Sequence, residues 1–138
     1  MLTATGTFEV KMLPEASQEP DGFGAGTARF GLAKSFTGEV SGEAVGTMLS
    51  VGAPLAGSAA AYVAVDRFAR SVNGKTGGFI LIHRGTVSKA GNSDLEIIIA
   101  PDSGTGELDG IVGTLLIDVK AGVHNYTLTY ELLSGLGK

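Results

Sequence analysis

The 138-residue sequence contains neither cysteine nor tryptophan. Without thiols there is no disulfide scaffold, no thiolate nucleophile and no cysteine-ligated metal. Histidine is almost as scarce, and His83 and His124 share no short metal-ligand spacing. We therefore expect no metal and no cofactor. Cationic residues are also few, with 10 Lys and Arg against 14 Asp and Glu and a formal net charge of −4. No basic run is present, so a nucleic-acid backbone is not expected as a partner. The opening MLTATGTFEV lacks a basic segment followed by an apolar run, so no secretory signal is expected, and a cytoplasmic location fits the missing cysteines.

Catalytic signatures are missing too. There is no G-x-S-x-G elbow, no phosphate-binding G-x-x-x-x-G-K-[ST], and no strand-linked dinucleotide fingerprint. The one long uncharged stretch, Ala44 to Val65, matches a bilayer span in length. It is broken by Gly-Ala-Pro-Leu-Ala-Gly, so two buried strands and a turn are expected instead of a membrane segment.

What is abundant is glycine, 22 residues, against only 4 prolines and an apolar content of 43%. That composition is not disordered, and glycine scattered through alternating apolar runs suits a curved β-sheet. Residues 1–138 are expected to form one β domain.

The most informative stretch is Ala59 to Lys89, which predicts a long β-hairpin closed at Asn73-Gly74, because both central residues of a type I′ turn need positive φ. The register follows: Val72 faces Lys75, Phe68 faces Phe79, Asp66 faces Leu81, Ala64 faces His83 and Tyr62 faces Gly85. These share one face, while Val63, Val65, Arg67, Ile80, Ile82 and Arg84 share the other. Arginine is seldom buried without a partner, so the aromatic face is assigned inward, carrying Asp66 and His83 with it.

Thr5 to Leu13 alternates as a half-buried strand with Phe8, Val10 and Met12 on one side. Pro14 to Gly26 is a long surface loop, either a lid or a plain connector. Thr27 to Phe36 and Glu39 to Val51 form a second hairpin about Thr37-Gly38, which sets Lys34 opposite Ser41. On that otherwise aromatic face Lys34 is either an interior counter-ion or a mouth residue with its ammonium in water; the second is preferred, because an unpaired buried charge is costly.

Leu95 to Ala100 is apolar on both faces and suits a strand covered on each side. Pro101 to Gly113 is a glycine-punctuated loop with at most one helical turn. A last hairpin, Thr114 to Val119 and His124 to Leu133, brings Tyr126 and Tyr130 to the inner face. About eight strands with short connections favour an all-β fold, a closed or nearly closed antiparallel barrel.

The segments TGTFEV, FGLAKSFTGEVSGEAVGTMLS, AYVAVDRF, GKTGGFILIHRGT, APDSGTGELDGIVGTLLI and HNYTLTYEL together resemble a bacterial domain-of-unknown-function family with an allene oxide cyclase-like barrel. PDSGTGEL followed by G-x-x-G-T is the most specific part. The resemblance implies an eight-stranded antiparallel barrel related in shape to calycin-like and dirigent barrels, which commonly form oligomers and take apolar ligands. It implies no activity and carries over no catalytic residue.

The residues themselves bring Tyr62, Asp66, Phe68, Phe79, Leu81, His83, Tyr126 and Tyr130 together as a candidate ligand-binding set. A carboxylate beside an imidazole in an apolar cavity can orient a ligand, act as a general base, or simply close a satisfied interior hydrogen bond. Three readings stay open: a barrel binding a small apolar ligand, an isomerase or cyclase acting on a lipid-like substrate, and a self-associating structural module using the Val63, Val65, Ile80 and Ile82 face.

Overall fold

A computed structural model describes residues 1–15, 27–52 and 57–133. Eight antiparallel strands close on themselves in chain order. They are β1 (Leu2–Glu15), β2 (Thr27–Gly38), β3 (Val40–Gly52), β4 (Ala60–Val72), β5 (Lys75–Val87), β6 (Ser93–Ile99), β7 (Ile111–Lys120) and β8 (Val123–Leu132), with one 3-10 turn at Gly106–Leu108. The lid-or-connector segment lies mostly outside the described residues, although Pro14 and Glu15 belong to β1. β7 starts at Ile111, earlier than Thr114, because Ile111 is buried in the core.

The β4–β5 hairpin has the expected register throughout, including Phe68 with Phe79, Asp66 with Leu81 and Ala64 with His83. Asn73 and Gly74 take φ of 48° and 82°, as the tight turn requires. Arg67 and Arg84 point outward; Asp66 and His83 point inward.

The β2–β3 register differs from the expected one. Lys34 pairs with Ala44, not Ser41. A shift by an odd number of residues exchanges the faces of β3, so Val40 and Ala44 turn inward while Glu39 and Glu43 are exposed. The chain pivots one residue later than Thr37-Gly38 because Glu39 is tied to β1. Its N–H donates to the Thr5 carbonyl oxygen, and its carboxylate accepts from the Thr5 backbone N–H and hydroxyl. Exposing the two carboxylates favours this register, although it turns Val45, Leu49 and Val51 outward as well.

The two ends of the barrel differ. At the end formed by the β2–β3 and β4–β5 turns, Ala4, Val40, Val72, Leu108 and Ile111 are all buried. Here the Tyr126 hydroxyl accepts from the Val40 N–H and lies 2.9 Å from the Thr37 carbonyl oxygen, and Asn73 Nδ2 donates to the Tyr130 hydroxyl and the Thr3 carbonyl oxygen. Above this sealed end a run of aromatic rings, Phe8, Phe36, Phe68 and Phe79, has successive centroids 5.1, 5.8 and 4.9 Å apart.

Toward the other end, marked by the turns at 88–92 and 121–122, the inward-facing residues become partly exposed. Val10, Phe30, Met48, Tyr62, Ile117 and His124 are half-buried, and Met12, Leu95 and Val119 are exposed. The β6–β7 junction is thin, with a single partner pair, Ile98 with Thr114.

Candidate functional site

Three polar side chains sit in the middle of the barrel. Asp66 is 0% exposed, His83 3% and Lys34 9%. Lys34 Nζ donates to Asp66 Oδ2 at 2.5 Å, and His83 Nε2 lies 2.8 Å from the same oxygen. An ionised carboxylate only accepts, so Nε2 carries the proton in that bond. The 3.4 Å between Lys34 Nζ and His83 Nε2 is then a contact between two donors converging on one acceptor. The ammonium also lies 5.8 Å from the Phe8 ring centroid, within cation–π range.

Lys34 is therefore an interior counter-ion, not a residue of the barrel mouth. Its partner is on β4, two strands away, with β3 between them. The strand spacing makes that about 10 Å between backbones. The reach is possible because β3 presents only small inward residues on this path, Ala44 opposite Lys34 and Gly46 opposite Asp66. A methyl group on Gly46 would lie 2.7 Å from Asp66 Oδ1 and would collide with the Val65 carbonyl oxygen. Gly46 thus keeps the crossing clear.

Burial pushes the Asp66 carboxyl up, but the His83 hydrogen bond and the Lys34 ammonium outweigh it and hold the group below the ordinary carboxylate range. The two donors are unevenly shared. Both reach Oδ2, while Oδ1 is buried without a hydrogen-bond partner among the described residues.

The expected site residues divide between two levels. Tyr62 stands on the exposed side of the Asp66 level, half-buried, with its ring lying on Gly85; burial, then the Asp66 charge, pushes its hydroxyl pKa up. Leu81 is paired with Asp66, and Phe68 and Phe79 lie next to it toward the sealed end. The Tyr126 and Tyr130 hydroxyls are engaged at that sealed end, away from Asp66. Sequence reasoning did not gather Val10, Leu32, Met48, Ile117 and His124, the inward residues of the other strands around the exposed end. Their alternation was legible, but the ring they form depends on closure of the sheet. Among the described residues no group of three or more His, Asp or Glu is placed to hold a metal ion, and no helix is long and apolar enough to cross a membrane.

Comparison with known proteins adds the family. The profile described as "Protein of unknown function (DUF3224)" matches residues 4–130. The chain belongs to the DUF3224 family. A DUF3224 protein of unknown function from Shewanella oneidensis MR-1, solved by crystallography at 1.84 Å, is similar in sequence and shape. It is 33% identical, with 98% of this chain and 99% of that one covered and a TM-score of 0.87. No curated protein matches the chain. The solved structure agrees in shape with the closed barrel, and neither match assigns a reaction.

Proposed function

We propose that this DUF3224 barrel binds a small, largely apolar molecule in a cup at its exposed end. The cup floor is the Lys34–Asp66–His83 cluster and its wall includes Val10, Leu32, Met48, Tyr62 and Ile117. One observation carries this reading: a fully buried carboxylate oxygen, Asp66 Oδ1, has no partner among the described residues on a level where the inward residues pass from buried to half-buried. An orphaned buried acceptor costs about 1–3 kcal/mol, more when charged, and a molecule entering from the exposed side would remove that cost. Sites of this kind are apolar with a few convergent polar groups. The polar contacts are Asp66, His83 and Lys34, with the Tyr62 hydroxyl at the wall. Isomerase or cyclase chemistry would use the same cup, but binding is the activity the geometry supports best.

The test is a fluorescence titration with 1-methoxynaphthalene, an apolar compound with no hydrogen-bond donor. Saturable binding at one molecule per barrel supports the proposal. A linear, non-saturating response refutes it.

A second reading concerns the outside. Val45, Leu49, Val63, Val65 and Ile82 are exposed aliphatic residues at neighbouring positions of β3, β4 and β5, and contiguous apolar patches mark interaction surfaces. We read it as the face through which two copies of the chain meet, making the protein a homo-oligomer. Sedimentation should show association that Val65→Lys abolishes; a monomer at all concentrations removes this reading.

A further inference from the structure

The same buried carboxylate identifies the ligand's polar group, an inference that rests on the binding proposal above. We infer that the cup takes an apolar molecule bearing a neutral hydrogen-bond donor, an alcohol or a phenol, whose O–H donates to Asp66 Oδ1.

Lys34 and Asp66 are bonded through Oδ2, and their formal charges cancel. A carboxylate or phosphate ligand would bring a second anion against Asp66 in a dry site, and an ammonium would bring a second cation against Lys34. Neither finds a further counter-charge among the described residues here: the His83 N–H is already directed at Asp66 Oδ2, and the other buried neighbours, Leu32, Ala44, Ala64 and Leu81 among them, are apolar. A neutral donor leaves the balance intact.

The second step is the division of labour on the carboxylate. Oδ2 already accepts from Lys34 and His83. Oδ1 accepts from none of the described residues, so it can take a donor, and an ether, ester or ketone oxygen would gain nothing there. The third step is space. The inward positions beside Asp66 are Ala44 and Gly46 on β3 and Ala64 and Phe68 on β4, three small residues and, toward the sealed end, one aromatic ring. Oδ1 is enclosed by protein and lies beside Gly46, where an added methyl group would stand 2.7 Å from it.

A bond from a neutral hydroxyl to a desolvated carboxylate strengthens binding by at least about tenfold. The experiment compares four compounds of one shape on the intact protein at pH 7: 1-naphthol, 1-methoxynaphthalene, 1-naphthoate and 1-naphthylmethylammonium. The expected result is that 1-naphthol binds at least about tenfold tighter than 1-methoxynaphthalene, and that both ions bind more weakly than 1-naphthol. In Asp66→Asn the naphthol-to-methoxynaphthalene ratio should fall to roughly two- to threefold. In Lys34→Met/Asp66→Leu, which keeps the interior uncharged if the single variant does not fold, it should approach one.

Equal binding of 1-naphthol and 1-methoxynaphthalene overturns the inference and leaves the apolar cup standing; Oδ1 is then satisfied by water. Tighter binding of the naphthoate overturns it in favour of an anion site. If no compound binds, the cup itself is wrong.

Discussion

Removing one member of the Lys34–Asp66 pair gives the most demanding test of the interior described above. Consider Lys34→Met, which keeps the length of the side chain but deletes the charge. Two charge centres about 3.5 Å apart attract by about 5 kcal/mol at an effective dielectric of about 20. Burial of the two ions costs several kcal/mol each, so the intact pair adds little net stability. The broken pair is another matter, because Asp66 is then left in the core with only the His83 hydrogen bond. The chain can escape by protonating Asp66, and that caps the loss. Bringing a carboxyl of ordinary pKa 3.8 to its neutral form at pH 7 costs about 4 kcal/mol at 1.36 kcal/mol per pH unit.

The expected destabilisation is therefore about 3–4 kcal/mol for Lys34→Met, and similar for Asp66→Asn, which strands the ammonium. The double variant buries no charge and should lose only about 2 kcal/mol. Urea unfolding at pH 7, followed by circular dichroism because the chain lacks tryptophan, gives all three values with unchanged m. These values correspond to a coupling energy of about 4–6 kcal/mol. A coupling below about 0.5 kcal/mol, the range of independent sites, would show that Lys34 and Asp66 do not meet in the folded protein.

Other outcomes follow from the same contacts. The Asp66 carboxyl has its pKa depressed on folding, so its contribution to stability is present above its unfolded value and is lost as pH falls through the lower folded value. Stability of the wild type relative to Asp66→Asn should hold steady at neutral pH and shrink only below about pH 4, which denaturation across pH 2–7 measures. Tyr126→Phe leaves the buried Val40 N–H without its acceptor and should cost about 1–3 kcal/mol by urea unfolding, while 1-methoxynaphthalene affinity stays within twofold. Gly46→Val drives a branched side chain into the Val65 carbonyl and the Lys34–Asp66 crossing; thermal denaturation should show a loss of more than about 3 kcal/mol or no folded protein. Amide exchange should be faster in β6 and β7 away from Ile98 and Thr114 than in β3, β4 and β5, where strand pairing is long.

Where local chemistry fixes a turn, the sequence was readable. Asn73-Gly74 set the β4–β5 register, and Arg67 and Arg84 on the opposite face then placed Asp66 and His83 inside without any knowledge of the rest of the sheet. Thr37-Gly38 misled because that turn is positioned by Glu39 bonding to Thr5, a contact across 34 residues that no local pattern reports. The error carried over to Lys34. In the register with Ser41 its neighbours are Glu43 and Glu39, and an exposed mouth position follows naturally; opposite Ala44 it has no local counter-charge and must find Asp66 beyond β3. The small inward residues Ala44 and Gly46 were the available signal, since they are the gap through which a long side chain crosses a strand. The unequal ends of the barrel were hidden for a different reason. They arise from Leu108 and Ile111 closing one end, which depends on how the loop after β6 packs once the barrel has closed.

The central claim is that apolar molecules enter from the exposed end and stop at the Lys34–Asp66–His83 level. Amide chemical-shift mapping of the labelled protein during addition of 1-methoxynaphthalene tests it directly. Shifts should concentrate at Val10, Leu32, Met48, Tyr62, His83 and Ile117, with Val40, Val72, Leu108 and Ile111 unmoved. Shifts confined to the outward strip of Val45, Val63, Val65 and Ile82, or centred on the sealed end, would contradict it.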